Sequence, residues 1–184
     1  MSLTPEDQLA VLQRFVDSFP QDLLAVHAAL AEASTPEPAK RFLIGGLNYA
    51  LDMLDIFPDH HKGIGIADDA LVLRVAARLA RDAGATSPIV EKLATDSNLV
   101  IALFEDLAGP LEKLVSSFPD REVRGRTAAK ILGHKDTHIM FDGDITREAK
   151  RHQPQSLGTG EAGKRNVIEL RKMLESALKR AQVM

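Results

Sequence analysis

The chain of 184 residues has room for one domain, or for one domain with an extension. Hydrophobic residues make up 45% and charged residues 27%, which is typical of a globular chain with a buried core. The absence of Cys excludes disulfides, zinc fingers, iron–sulfur ligation and thiol catalysis. The aromatic share of 4% argues against a base-stacking platform for single-stranded nucleic acid.

Charge is unevenly distributed along the chain. Residues 1–122 carry 19 acidic and 10 basic side chains, whereas residues 123–184 carry 7 acidic and 13 basic ones. The basic third can dock on the acidic part of the chain or on a second copy, or it can bind nucleic acid or a membrane surface. Because the bases alternate with acids and form no continuous run, the pattern favours docking over nucleic-acid binding.

The longest stretch without a charged residue is Phe42–Leu51, ten residues long. A membrane-spanning helix needs about 20 apolar residues, so we expect no transmembrane segment. The first residues are acidic and helix-capping, unlike the start of a signal peptide. We therefore expect a cytoplasmic protein, and a peripheral contact with a membrane stays open as an alternative.

Proline and capping residues divide the first two thirds of the chain into about five predicted helices. Apolar residues recur at helical spacing after each of these signals. The predicted helices begin near Thr4-Pro5, Pro20, Thr35-Pro36, Asp68 and Ser87-Pro88. The fifth ends before Phe118-Pro119, with interruptions expected near Asp96-Ser97 and Gly109-Pro110. The pattern therefore predicts a compact helical bundle within residues 1–122.

Beyond residue 122 the pattern is less regular. Val123–Gly133 is compatible with a short basic helix, while Thr137–Phe141 has a strand-like composition and Asp142-Gly143 is a hairpin-turn dipeptide, so a hairpin or a loop is expected. Residues 153–160 have the composition of a linker, and residues 162–182 form a basic amphipathic helix. We therefore expect an all-α protein with an irregular basic extension, residues 123–184, that ends in a helix.

The segment between the third and fourth predicted helices is rich in residues that shape turns and carry charge. It contains Asp55, Pro58, Asp59, Gly63, Gly65, Asp68 and Asp69. Proline cannot continue a helix without the loss of a hydrogen bond, and glycine permits backbone angles closed to other residues. The pattern predicts a tight corner that gathers four carboxylates, with Asp68 or Asp69 capping the fourth helix.

These seven residues resemble the signature of the YkvA-like family, a bacterial domain of unknown function. In words, the signature is Asp, two apolar residues, Pro-Asp, a short apolar stretch, Gly-x-Gly, two residues and Asp-Asp. The resemblance covers about residues 42–79 and implies a small helical hairpin, here residues 42–83, without an established reaction. The family usually has an apolar stretch where this chain has His60-His61-Lys62, so this corner is more polar.

The corner is also a candidate metal site. Its candidate ligands are Asp55, Asp59, His60, His61, Asp68 and Asp69. Carboxylates with one or two imidazoles suit Mg²⁺, Mn²⁺ or Fe²⁺, and two ions bridged by Asp would support phosphoester hydrolysis. In the alternative interpretation the aspartates cap helices and the two His are solvated. Because acidic caps are common at helix starts, we favour this second interpretation.

Other motifs in the chain are less specific. Gly158–Arg165 nearly matches a phosphate loop, but Arg165 stands where the loop needs a hydroxyl and no apolar strand precedes it. A second His/Asp cluster comprises His134, Asp136, His138, Asp142 and Asp144, without the remaining ligands of a calcium loop. His27 lies on an apolar helix face, as a packing residue would. No catalytic or cofactor-binding residue is predicted from these motifs.

The sequence thus favours a non-catalytic helical interaction or scaffold module. Its expected contact surfaces are the acidic corner and the C-terminal helix, and its expected partner is another protein or a second copy of the chain. The alternative is a metal-dependent enzyme of the phosphoester hydrolase type that uses residues 55–69. A third and weaker hypothesis is electrostatic binding of nucleic acid by the basic third.

Overall fold

The computed structural model describes residues 3–52, 56, 65–153 and 155–184. The described regular structure is helical, apart from a single bridge between Val123 and Arg126, and the predicted all-α class is confirmed. The helices are α1 Pro5–Ala29, α2 Glu37–Tyr49, α3 Ala67–Asp82, α4 Pro88–Phe104, α5 Ala108–Ser116, α6 Ala128–Gly133, α7 Lys135–Arg151 and α8 Gly160–Arg180. Short 3₁₀ turns occupy residues 105–107 and 118–120.

Helix α1 is one continuous helix, and the predicted break at Phe19-Pro20 is wrong. Its start is as predicted, because the Thr4 side chain accepts a hydrogen bond from the backbone N–H of Asp7. Pro20 lies inside the helix and removes one backbone donor. The apolar stripe continues through the proline, and its buried members include Phe15, Val16, Phe19, Leu23 and Val26. Burial of this stripe on both sides of Pro20 outweighs the lost hydrogen bond.

Helix α3 is the central element of the fold and packs against α1, α2 and α4. It begins at Ala67, one residue from the predicted start, and its buried residues include both polar and apolar side chains. Helix α2 approaches it closely at Gly46, where a Cβ would lie 2.7 Å from the Cβ of Ala76. The corner that joins α2 to α3 is therefore anchored at both ends by tightly packed helices.

The predicted fifth helix is divided into α4 and α5. The expected interruption near Asp96-Ser97 is absent, because these residues lie inside α4. The division falls instead at Glu105, which has a φ of 46° and ends α4. Gly109-Pro110 lies in the first turn of α5. Backbone N–H groups in the first turn have no acceptor within the helix, so the proline, which lacks an N–H, breaks no helical hydrogen bond there.

Residues 135–151 form helix α7, so the predicted hairpin or loop at Thr137–Phe141 and Asp142-Gly143 is wrong. Three apolar side chains at helical spacing, Phe141, Ile145 and Ala149, are buried on one face of α7, which packs against α1. Their burial outweighs the local preference of Asp-Gly for a turn, and the extension is more regular than the sequence suggests.

Helix α8 docks on the acidic part of the chain through its apolar stripe. Leu170, Leu174 and Leu178 are buried, and the helix packs against α1 and α5. Lys164 Nζ lies 2.6 Å from Glu6 Oε1, and Arg171 pairs with Asp106. The C-terminal third therefore shares its apolar core with the helices before it. Among the described helices, none combines the length and apolar character needed to cross a bilayer.

Candidate functional site

Asp68 and Asp69 lie in the first turn of α3 and point into the protein. Their relative exposures are 1% and 6%. The N-cap of α3 is Ile66, which provides no side-chain cap, so the expectation that one of the aspartates caps the helix is wrong. Both carboxylates instead sit at the positive end of the helix dipole, which favours their charged form.

The first of these carboxylates is bound by Tyr49, the last residue of α2. Tyr49 Oη donates a hydrogen bond of 2.6 Å to Asp68 Oδ2 and accepts one of 2.7 Å from the backbone N–H of Ile56. Burial and the nearby charges of Asp68 and Asp69 raise the pKa of Tyr49 well above its ordinary value. The phenol therefore keeps its proton and remains a hydrogen-bond donor to the carboxylate.

The aromatic ring of Tyr49 is also held in place by contacts with Phe118 and Arg121. It stacks on Phe118 with the ring centroids 5.0 Å apart and an interplanar angle of 6°. The guanidinium of Arg121 lies 5.8 Å from the Tyr49 centroid and forms an ion pair of 2.5 Å with Asp52. These contacts fix the phenol in the orientation that reaches Asp68.

The second carboxylate faces His152, which directly follows α7. His152 Nε2 lies 4.0 Å from Asp69 Oδ2 and 3.1 Å from Glu148 Oε1. The imidazole also meets the ring of Phe19 edge-on, with the centroids 5.2 Å apart. Tyr49, Asp68, Asp69, Glu148 and His152, here called the acid cluster, thus join the ends of α2 and α7 to the start of α3.

The pKa of Glu148 reflects two opposing influences. Burial acts to raise it, but the contact with His152 and the charge of Arg151 outweigh burial, so the pKa of Glu148 lies below its ordinary value. Glu148 is 5% exposed. Glu148 forms an ion pair of 2.8 Å with Arg151, and contacts with protein groups replace part of the hydration of this buried carboxylate.

A second buried group, here called the arginine cluster, lies about one and a half turns further along α3. Arg74, 1% exposed, donates to Asp22 Oδ2 at 2.8 Å and to Ser18 Oγ at 3.0 Å. Its guanidinium lies 3.8 Å from the centroid of the Phe15 ring. Lys92 Nζ reaches the other oxygen of Asp22 at 2.9 Å. The cluster ties α1, α3 and α4 together.

A cavity of about 280 Å³ opens beside the acid cluster. It is lined by Gly65, Ile66, Arg151, His152, Gln153 and Gln155. His152 is the member of the acid cluster that lines this cavity. The cavity has room for an ion with its water or for a small anion, in contact with the imidazole and the Arg151 side chain.

The structure describes two of the six residues of the predicted metal site. Asp68 and Asp69 lie together at the start of α3, while Asp55, Asp59, His60 and His61 lie outside the described residues. Within the described part of the chain, no group of three or more His, Asp or Glu side chains is arranged to hold a metal ion. The carboxylates of Asp68 and Asp69 are engaged with Tyr49 and His152, and neither provides the helix cap that the alternative interpretation expects at the N-cap of α3.

The second His/Asp cluster from the sequence is dispersed by helix α7. Asp142 Oδ1 lies 2.8 Å from His27 Nε2 on α1 and 3.6 Å from His138 Nε2. Asp144 instead accepts a hydrogen bond of 2.6 Å from Arg126. The contacts of Asp142 and Asp144 therefore attach α7 to α1 and to the turn before α6. His27 has the packing role expected for it, and its ring also meets Phe141.

The phosphate-loop-like segment is the beginning of α8. Lys164 is paired with Glu6 and, at 3.1 Å, with Glu161. Gly163 lies against α1, where a Cβ would overlap the Leu9 side chain. The lysine and the glycine of the motif thus serve the docking of α8 on α1.

Sequence reasoning missed Tyr49, Arg74, Glu148 and His152. Three of these carry a signal in the sequence. Glu148 and His152 are four residues apart, as neighbours on one helix face are, and Arg74 interrupts an otherwise apolar run. The partners of these residues lie far away in the chain, and the sequence alone does not identify them.

Comparison with known proteins identifies no relative of this chain. No protein-family model matches the chain, and no curated protein or solved structure matches it. The resemblance to the YkvA-like family rests on the motif residues alone.

Proposed function

We propose that this protein is a non-catalytic helical interaction module, and that its acidic motif has a structural role. One observation carries this proposal: Asp68 and Asp69 point into the protein, toward Tyr49 and His152. Carboxylates that act on a substrate as base or nucleophile must reach it within hydrogen-bond distance. In this proposal the aspartates instead hold α2, α3 and α7 in one arrangement.

In this proposal the outer face of α8 is the partner-binding surface. Ile168 on that face is 57% exposed although the inner stripe of the same helix is buried. Arg165 and Lys172 lie three residues before and four residues after it, on the same face, and neither forms an ion pair with the described residues. An exposed apolar side chain between two free bases suits a protein partner with an acidic, partly apolar helix.

Surface substitutions test this binding better than truncation, because removing α8 would also remove Leu170, Leu174 and Leu178 from the core. We expect a fluorescent amphipathic peptide of Leu and Glu to bind the full chain, more weakly as salt increases. Arg165→Glu with Lys172→Glu should weaken binding about tenfold or more, whereas Lys113→Glu, an exposed base on α5, should not. Equal binding by all three proteins would contradict the proposal.

A metal-dependent phosphoester hydrolase is the second candidate function. The observation that favours it is that Asp68 and Asp69, two of the predicted ligands, lie together at the start of α3, and that His152, 4.0 Å from Asp69, lines the 280 Å³ cavity. Carboxylates are ligands for Mg²⁺ and Mn²⁺, and imidazole is a ligand for Fe²⁺. In this candidate function, further ligands would come from Asp55, Asp59, His60 and His61.

Metal binding and hydrolysis separate the two candidates. For an interaction module we expect no stoichiometric metal after purification without chelator, no rise in melting temperature with Mn²⁺ or Mg²⁺, and no hydrolysis of p-nitrophenyl phosphate. A metal-dependent rise in melting temperature and a hydrolysis rate, both lost in Asp69→Asn and retained in Glu169→Gln, would overturn the first proposal in favour of the second. Glu169 is an exposed carboxylate on α8 and serves as the matched control.

A further inference from the structure

We propose that the outward face of α7 is a homodimer interface, at which two copies of the chain pack with their α7 helices antiparallel. This inference goes beyond the proposed function, because it concerns a different helix and a second copy of the same chain. It rests on three features of α7: an exposed apolar pair, a central glycine and a self-complementary distribution of charge.

The apolar pair is Ile139 and Met140, which are 55% and 65% exposed. They lie on α7 away from the buried side chains of Phe141 and Ile145, which pack toward α1. Two neighbouring large apolar side chains on one exposed helix face are not needed by the fold of the single chain. Such a face is more typical of an interaction surface than scattered apolar residues are.

Gly143 lies at the centre of the same face. It is exposed, and a Cβ placed there would meet no atom of the described residues within 4 Å. Packing inside the chain therefore does not explain a glycine in the middle of this helix, where it costs roughly 1 kcal/mol relative to Ala. A glycine at a helix crossing lets two helix axes approach closely, with Ile139 and Met140 packing beside the contact.

The charges on this face match those of a second copy turned end to end. At 100° per residue, Asp136 and Lys150 lie on the same face as Gly143, two turns before it and two turns after it. Neither side chain forms an ion pair with the described part of the chain. An antiparallel crossing at Gly143 brings Asp136 of each copy beside Lys150 of the other.

A parallel arrangement would place Asp136 beside Asp136 and Lys150 beside Lys150, which repel. The helix dipoles also favour the antiparallel arrangement. The dyad passes near Gly143, so the same patch of each copy forms the interface, as in the common twofold dimers of soluble proteins. A contact built on one helix from each copy is small, and we expect a dimer that dissociates on dilution.

Sedimentation equilibrium of the full chain over a range of concentrations tests the proposal. Wild type should show a monomer–dimer equilibrium. Asp136→Lys and Lys150→Glu should each raise the dimer dissociation constant about tenfold or more, because each turns two attractive pairs into two repulsive ones. A mixture of these two variants should form heterodimers, in which both pairs attract again.

The variant that carries both substitutions distinguishes the two orientations. In an antiparallel dimer it restores attraction at both pairs, so its dissociation constant should return close to that of wild type. In a parallel dimer it retains like charges at both pairs. All these positions are exposed, and circular dichroism with thermal melting should show an unchanged fold. Lys113→Glu is the control for an exposed base elsewhere.

Three results would overturn the inference: a wild-type chain that is monomeric at every concentration, a dimer that neither single variant weakens, or a double variant that does not recover. Peptide binding by α8 is measured separately with Arg165→Glu and Lys172→Glu. Failure of the α7 dimer therefore leaves the proposed function intact, and failure of α8 binding leaves the dimer intact.

Discussion

The phenol of Tyr49 donates a hydrogen bond of 2.6 Å to Asp68, so the last residue of α2 is tied directly to the first turn of α3. The same oxygen accepts a bond from the backbone N–H of Ile56, which belongs to the chain between these helices. One side chain thereby fixes both ends of the corner and one point within it.

Replacing Tyr49 by Phe should destabilise the protein by about 1–3 kcal/mol. The ring and its stacking on Phe118 remain, but Asp68 loses a buried donor and the N–H of Ile56 loses its acceptor, and an unsatisfied buried polar group carries this cost. Urea unfolding followed by circular dichroism measures the change in the free energy of unfolding. An unchanged value would mean that the phenol does not hold the corner.

Replacing Arg74 by Met should be more costly, about 3–5 kcal/mol, because the buried charge of Asp22 then keeps only Lys92, whose side chain is 56% exposed, as its ionic partner. The control is Arg14→Met, which also loses an ion pair with an acid of α4, Asp96. The Arg14 side chain is 57% exposed, so we expect a loss below about 1 kcal/mol.

A double-mutant cycle in urea then measures the coupling between the two buried residues. Arg74→Met combined with Asp22→Asn should cost less than the sum of the single losses, since neither charge is left alone. Strict additivity would show that the two side chains do not act as a pair.

Helix starts were the most predictable part of this fold, since their signals are local. The cap at Thr4 and the prolines at the starts of α1 and α4 stand where the structure begins these helices. The interior of α1 and the whole of α7 were not predicted, because Pro20 and Asp142-Gly143 are local breaking signals. Burial against distant elements outweighs them, and a single sequence does not display that burial.

In the candidate site, too, the features with local sequence signals were predictable and those that depend on distant contacts were not. The sequence placed Asp68 and Asp69 at the start of α3, but Glu148 and His152 come from the other end of the chain. Glu148 and His152 lie near Asp69 only because residues 135–151 form a helix, α7, that packs on α1. With a turn predicted at Asp142-Gly143, nothing in the residue pattern indicates that His152 lies near Asp69.

The lowered pKa of Glu148 predicts a specific dependence of stability on pH. A carboxyl group whose pKa is lower in the folded than in the unfolded protein contributes stability above the unfolded pKa, and that contribution is lost as pH falls through the folded pKa. The difference in unfolding free energy between wild type and Glu148→Gln should therefore be largest near neutral pH and shrink below about pH 4.3.

Urea unfolding at a series of pH values measures this difference, with Glu169→Gln as the exposed control. The control should differ from wild type by a small amount that does not vary with pH. A difference for Glu148→Gln that stays constant from neutral to acidic pH would contradict a lowered pKa in the folded protein.

The docking of α8 depends on the absence of a side chain at Gly163. A Cβ there would lie 2.9 Å from the carbonyl oxygen of Gly158 and would overlap Leu9 on α1. Gly163→Ala should therefore destabilise the protein by about 1–3 kcal/mol, although alanine favours a helix more than glycine does.

Gly109→Ala is the matched control for this prediction, because Gly109 lies in α5 and an added Cβ there would have no neighbour within 4 Å in the part of the chain that the structure describes. It should leave stability unchanged or raise it by up to about 1 kcal/mol. Thermal unfolding of both variants distinguishes close packing from helix propensity. If Gly163→Ala also raised the melting temperature, α8 would not be packed on α1 at this point, and the position of its outer face would have to be revised.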